Sequence, residues 1–151
     1  MPRRPAEDKE REYAELSAFI NLWSTEVWKV DPASESHPAH VGPRIRARFG
    51  LTQALAGARQ GVNDILEGVC DIPLEGIREI DAHLRNAGVL TLTELRRRYA
   101  ARYKAILKRG ALRNETDYYL VKGILDDADS PIDEEERDRL GRMLIAFEGA
   151  A

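Results

Sequence analysis

Arg96, Arg97, Arg98, Arg102, Lys104, Lys108, Arg109 and Arg113 put eight cations into the twenty-three residues from Thr91, with Glu94 as the only acid among them. Side chains of this type grip oxyanions: a guanidinium fork offers paired hydrogen bonds, and an ammonium acts as a point charge. The chemistry on offer is electrostatic recognition rather than bond making. The next segment carries the opposite sign. Between Asn114 and Asp138 lie ten carboxylates, against Lys122 and Arg137 alone. Three readings of the basic stretch follow: pairing with the acidic segment inside the chain, docking on an acidic partner protein, or binding of a nucleic acid.

Residues that could support catalysis or hold a metal are sparse. His37 and His40 stand three apart in a proline-rich loop with only Glu35 beside them. A structural metal site needs about four ligands, so these read as exposed loop histidines. Glu79 and His83 are four apart and would share a helix face, where such a pair is usually a surface contact. Cys70 is the only cysteine, flanked by Leu66, Val69 and Ile72, which suggests a packed thiol rather than a nucleophile and fits a reducing compartment. Phosphate loops, glycine-rich dinucleotide turns, HExxH, GxSxG and Glu-x-x-His are all missing. The expectation is a non-enzymatic protein with no cofactor and no metal.

These side chains need elements to position them. From Thr91 to Arg109 the sequence predicts one helix. Thr91 and Glu94 have capping-box spacing, and Gly110 suits a left-handed stop. Leu92, Leu95, Tyr99, Tyr103 and Ile106 recur at steps of three and four and would form one apolar stripe. On such a helix Arg97, Lys104 and Lys108 lie opposite the stripe, and Arg98, Arg102 and Arg109 run along its flank. Arg96 to Arg98 would then sit near the amino-terminal end, where the helix dipole disfavours cations. That placement suggests an anion to meet them.

The remaining segments share the helical period. Ala6 to about Val30 carries Tyr13, Leu16, Phe19, Ile20, Trp23, Val27 and Trp28 near one face; the tryptophans, five apart, cannot both be central. Asp31-Pro32 ends it. A loop of about a dozen residues follows, longer than most connections, and then a short basic turn with Arg44, Arg46 and Arg48. Leu51, Leu55, Ala58, Val62, Ile65, Leu66 and Val69 form the next seam, with Ala54, Gly57, Ala58 and Gly61 small enough to admit a neighbouring helix. Leu74, Ile77, Ile80 and Leu84 form another, stopped by Gly88. Asn114 is a good amino-terminal cap for a helix buried through Tyr118, Val121, Ile124 and Leu125, and Ser130-Pro131 reads as the start of the last one. Strand alternation and hairpin turns are absent.

The segment REIDAHLRNAGVLTLTELRRR loosely resembles the turn of helix–hairpin–helix DNA-binding domains, over about twenty residues and without their glycine-rich hairpin. Packing of two helices accounts for the pattern equally well.

The fold expectation is all-α: an irregular bundle of five or six helices in one domain over 6–148, a disordered 1–5, and a central hairpin at about 91–125. With 151 residues, 43% apolar and 32% charged content and a net charge of −3, the chain can bury a substantial core and is not globally basic. No apolar run is long enough to span a membrane. The first functional expectation is a cytoplasmic regulatory, accessory, antitoxin or immunity protein that binds an acidic partner. Its basic residues from Arg96 to Arg113, with Tyr119 and one tryptophan, would form the contact. The second is a nucleic-acid binder using the same helix, helped by Arg44, Arg46 and Arg48; the third is a small-molecule site or enzyme. A homodimer fits as well. Arg113, Asn114, Asp117, Tyr118 and Tyr119 form the most polar-aromatic cluster, though capping and core packing explain most of it.

Overall fold

The computed structural model describes residues 5–150. Disorder expected over 1–5 falls, for 1–4, outside the described residues. Pro5 is described, and its carbonyl accepts the Asp8 N–H at 3.1 Å. Among the described residues the chain is all-helical. It has eight helices rather than five or six: α1 (Ala6–Glu26), α2 (Pro38–Phe49), α3 (Leu51–Gly68), α4 (Leu74–Asn86), α5 (Leu92–Tyr99), α6 (Ala101–Arg109), α7 (Glu115–Asp126) and α8 (Glu134–Ala150). The chain divides into two compact units within α3, one ending at Asp64 and the other beginning at Ile65.

In the first unit, α1 stops at Glu26, before the Asp31-Pro32 pair. Lys29, at φ 58°, takes the left-handed conformation, and the Val30 N–H closes back on the Ser24 carbonyl. Leu16, Phe19 and Trp23 are buried, whereas Trp28, just past the helix, is 55% exposed. The connection has about the expected length but lies earlier, over 27–37, because α1 stops at Glu26 and α2 begins at Pro38. His37 is its cap and is fully buried, contrary to the expectation of an exposed loop histidine. Its Nδ1 accepts the Ala39 N–H at 3.0 Å, so its Nε2 carries the hydrogen facing Thr25 Oγ1 at 2.8 Å. Sequence spacing cannot show a partner twelve residues away. Along α2, Arg46 grips Glu10 of α1 and stacks over Tyr13. Arg59 of α3 forks onto Glu12 with two bonds of 2.7 Å.

In the second unit, α7 packs against α4, α5, α6 and α8. Its Asn114 cap accepts the Asp117 N–H at 2.9 Å. Leu120, Val121 and Ile124 are its buried apolar residues; Tyr118 and Leu125, expected there, are only half-buried. The expected hairpin is three helices, because the 91–109 stretch breaks at Ala100. This residue (φ −65°, ψ 121°) closes α5 and opens α6. Neither glycine nor proline lies at the break, so tertiary contacts impose it: Ala100 is 2% exposed, and Leu95 and Tyr103 on either side are fully buried. Gly110 then ends α6 at φ 76°, as a glycine readily does. Finally, α8 starts later than Ser130-Pro131 suggests. Asp133 supplies its cap, accepting the Glu136 N–H at 2.8 Å.

Candidate functional site

The break at Ala100 changes the electrostatics of the basic stretch. In α5, only eight residues long, Arg96, Arg97 and Arg98 occupy the last turn rather than the first. The dipole of that short helix favours cations there. The helix dipole therefore calls for no outside anion at Arg96, Arg97 and Arg98. The break also puts the two halves of the expected ridges on different helices.

Most of these arginines are already paired. Glu94, 9% exposed, takes Arg97 (3.2 Å) and Arg98 (2.6 Å). Its carboxylate therefore serves arginines rather than closing the expected capping box; Thr91 Oγ1 does accept the Glu94 N–H, at 3.1 Å. Asp117, 3% exposed, takes Arg102 at 3.3 Å and Arg109 at 2.9 Å, and also accepts the Arg113 backbone N–H at 2.9 Å. Glu136 of α8 meets Arg97 at 3.8 Å and accepts the buried Tyr103 hydroxyl at 2.6 Å. Burial and this carboxylate together push the Tyr103 phenol well above its ordinary range. Asp117 and Glu136 come from the acidic segment downstream, so part of the expected internal pairing is present.

Arg96 behaves differently. It is 6% exposed and donates to the Val69 carbonyl at 3.1 Å, with no carboxylate within ion-pair distance among the described residues. Burial holds its guanidinium below the usual arginine range. Nearby, Asp81 of α4 holds the start of α5, accepting the Leu92 N–H at 2.8 Å and the Thr93 N–H and hydroxyl. Desolvation pushes the Asp81 carboxyl up, against those hydrogen bonds. The turn that resembles a helix–hairpin–helix motif thus has its leading amides occupied by an internal carboxylate.

What remains solvent-facing is a smaller set. Lys104, Lys108 and Arg113 are exposed, and their side chains form no ion pair among the described residues. Tyr119 is 48% exposed and stands edge-on to Tyr118, 5.2 Å between ring centres. Tyr118 in turn stacks on Phe147 of α8 at 5.4 Å.

A groove that the charge pattern did not point to lies between the turn at Gly110–Leu112 and α8, with a volume of about 430 Å³. Arg139, Arg142, Met143, Ala146, Phe147 and Ala150 line one side of it. Their spacing (i, i+3, i+4, i+7, i+8, i+11) is a single face of α8. Arg142 is exposed and forms no ion pair among the described residues, and Arg139 reaches across to the Leu107 carbonyl. The signal was in the sequence, as two arginines three apart beside Met143 and Phe147.

Among the described residues, no group of three or more His, Cys, Asp and Glu side chains comes together to hold a metal, and no helix is long and apolar enough to cross a membrane. His40 is exposed, against the Pro32 carbonyl at 2.7 Å. Comparison of the chain with protein-family models, curated proteins and solved structures finds no match.

Proposed function

We propose that this protein is a cytoplasmic binding module without enzymatic activity, and that it recognises an acidic, amphipathic segment of a partner protein. The observation that carries this reading is the groove beside α8. It joins an apolar floor of Leu112, Met143 and Phe147 to a cationic rim at Arg142, and Arg113 follows Leu112 in the sequence. Arginine next to aromatic and thioether side chains is the composition enriched at protein interfaces. A helix with acidic residues on one edge could lay its apolar side on such a floor.

Pairing of the arginines weakens the nucleic-acid alternative. Phosphates would have to displace Glu94, Asp117 and Glu136, and only Lys104, Lys108 and Arg113 of the original stretch would be available without competition. Few free cations mean few released counterions and little affinity.

Affinity capture from the source cell's lysate tests the proposal, using wild type, a groove variant (Leu112→Glu with Arg142→Glu) and an α2 surface variant (Ile45→Glu). The expected outcome is a partner held by wild type and the α2 variant and lost by the groove variant. Identical partners for all three remove the groove from the argument. Salt-steep binding of duplex DNA that Lys104→Ala/Lys108→Ala abolishes would support the alternative instead.

A further inference from the structure

Arg96 and Arg102 face one small cavity; Asp117 and Glu67 meet Arg102, and among the described residues no carboxylate pairs with Arg96. The cavity lies in the second unit, between the end of α3, the start of α4, the Ala100 break and the first turn of α7. Its volume is about 20 Å³, the scale of one small polar head group, and it is partly open to solvent. Cys70, Thr116 and Tyr119 line it together with the two arginines, and its apolar walls include Leu66 and Leu120.

Two observations point to an anion. Arg96 is more than nine-tenths buried and has no carboxylate partner among the described residues, an expensive arrangement for a charge. The Nε of Arg102 is fully buried and makes no hydrogen bond. The carboxylates nearby reach neither: Glu67 at the rim and Asp117 meet the Nη atoms of Arg102, at 3.6 Å and 3.3 Å.

We propose that this cavity is a binding site for one carboxylate group, held between Arg96 and Arg102. The small space suits a flat two-oxygen head better than a tetrahedral oxyanion, and the apolar walls suit a short alkyl stem behind it. The carboxylate could belong to a free short-chain acid or to an acidic side chain of a peptide. The site is separate from the groove beside α8, so either can fail alone.

Cys70, the chain's single cysteine, is a built-in reporter. The same thiolate attacks the CH2 carbon of iodoacetate and of iodoacetamide and displaces iodide from each, but only iodoacetate carries a carboxylate. The rate ratio of the two reagents therefore cancels any change in thiol acidity. At Cys70 the ratio is expected to exceed that of free cysteine about tenfold, the worth of one charge-assisted hydrogen bond, and to return to the free value in Arg102→Gln. That variant alters a part-exposed residue and should fold; Arg96→Met is the second. An amide-shift titration of the unmodified protein with acetate, butyrate and a blocked peptide carrying one glutamate identifies the source. Saturable shifts centred on Cys70, Arg96, Thr116 and Tyr119 are expected. Tighter binding of the peptide indicates a partner side chain, and tighter binding of butyrate indicates a free acid. A reagent ratio equal to that of free cysteine, with shifts that chloride reproduces at equal ionic strength, overturns the site.

Discussion

Asp117→Ala is the sharpest test of how the charges are allocated. The Asp117 side chain is 4% exposed and holds three donors: Arg102, Arg109 and the Arg113 N–H. Removing one partner of a buried ion pair costs about 3–5 kcal/mol when the other is left dry. Here the arginine side chains are 29% and 25% exposed, so water can reach them once freed. That discount brings the expected loss to about 2–3 kcal/mol, with the Asn114 cap left in place. For a chain of this size the loss corresponds to a fall in Tm of roughly 5–10 °C. Urea unfolding reads it as a lower midpoint at unchanged slope. Asp117→Asn, which keeps the shape and one acceptor, should fall between. Both variants should also gain affinity for duplex DNA, with a log–log salt slope steeper by up to about 0.9 for each freed arginine that meets a phosphate. A loss below about 1 kcal/mol, or DNA binding identical to wild type, would refute the idea that this carboxylate neutralises the stretch.

Three further outcomes follow from the same structure. Tyr103→Phe removes the hydroxyl that Glu136 accepts and should cost about 1–2 kcal/mol in urea unfolding, with no cost if water substitutes fully. His37→Ala uncaps α2 and leaves Thr25 with only its bond to the Asn21 carbonyl; a loss of about 1–2 kcal/mol is expected, with faster hydrogen exchange in the first turn of α2. Asp81 has a folded-state pKa raised above its unfolded value, so protonation favours the fold. Its contribution is fully present below the unfolded pKa and is lost as pH rises through the folded one. The stability of wild type relative to Asp81→Asn should therefore grow as pH is lowered from neutral towards the carboxylate range, and parallel curves would contradict the assignment.

The helical class was legible because nearly every segment repeats its apolar residues at three and four. Caps with local partners were legible too: Thr91 to Glu94, Asn114 to Asp117, and the left-handed Gly110. Features that depend on distant residues were not. His37 has the composition of a loop histidine and is buried because Thr25 waits twelve residues upstream. Ala100 has strong helix propensity and nevertheless breaks the helix, because burying Tyr103 and placing Arg102 on Asp117 outweigh about one residue's propensity. That break reverses the sign of the helix-dipole effect on Arg96, Arg97 and Arg98, from a first turn to a last turn. Of the expected contact residues, the lysines and Arg113 are solvent-facing, Tyr119 is half-exposed beside the Arg96 cavity, and the other arginines are occupied by protein groups.

That division follows the chemistry of the two cations. Arg97, Arg98, Arg102 and Arg109 sit against carboxylates, where a planar, weakly hydrated fork gains most, and Arg96 is buried against a carbonyl. Lys104 and Lys108, compact and strongly hydrated, face water. Within 91–113 the choice of arginine over lysine thus separates the charges that hold helices together from those that only solvate. Arg113 is the exception there, and outside the stretch Arg142, like Arg44, Arg48, Arg137 and Arg139, is exposed with no carboxylate partner among the described residues. A solvated face would be served as well by lysine. An arginine at the edge of an apolar groove keeps a planar fork presented to whatever settles there, and Arg142 rims the floor built by Leu112, Met143 and Phe147. Replacing Arg142 by Lys should leave stability and net charge unchanged and still weaken partner capture. If the lysine variant captures as well as wild type, the groove reads charge alone.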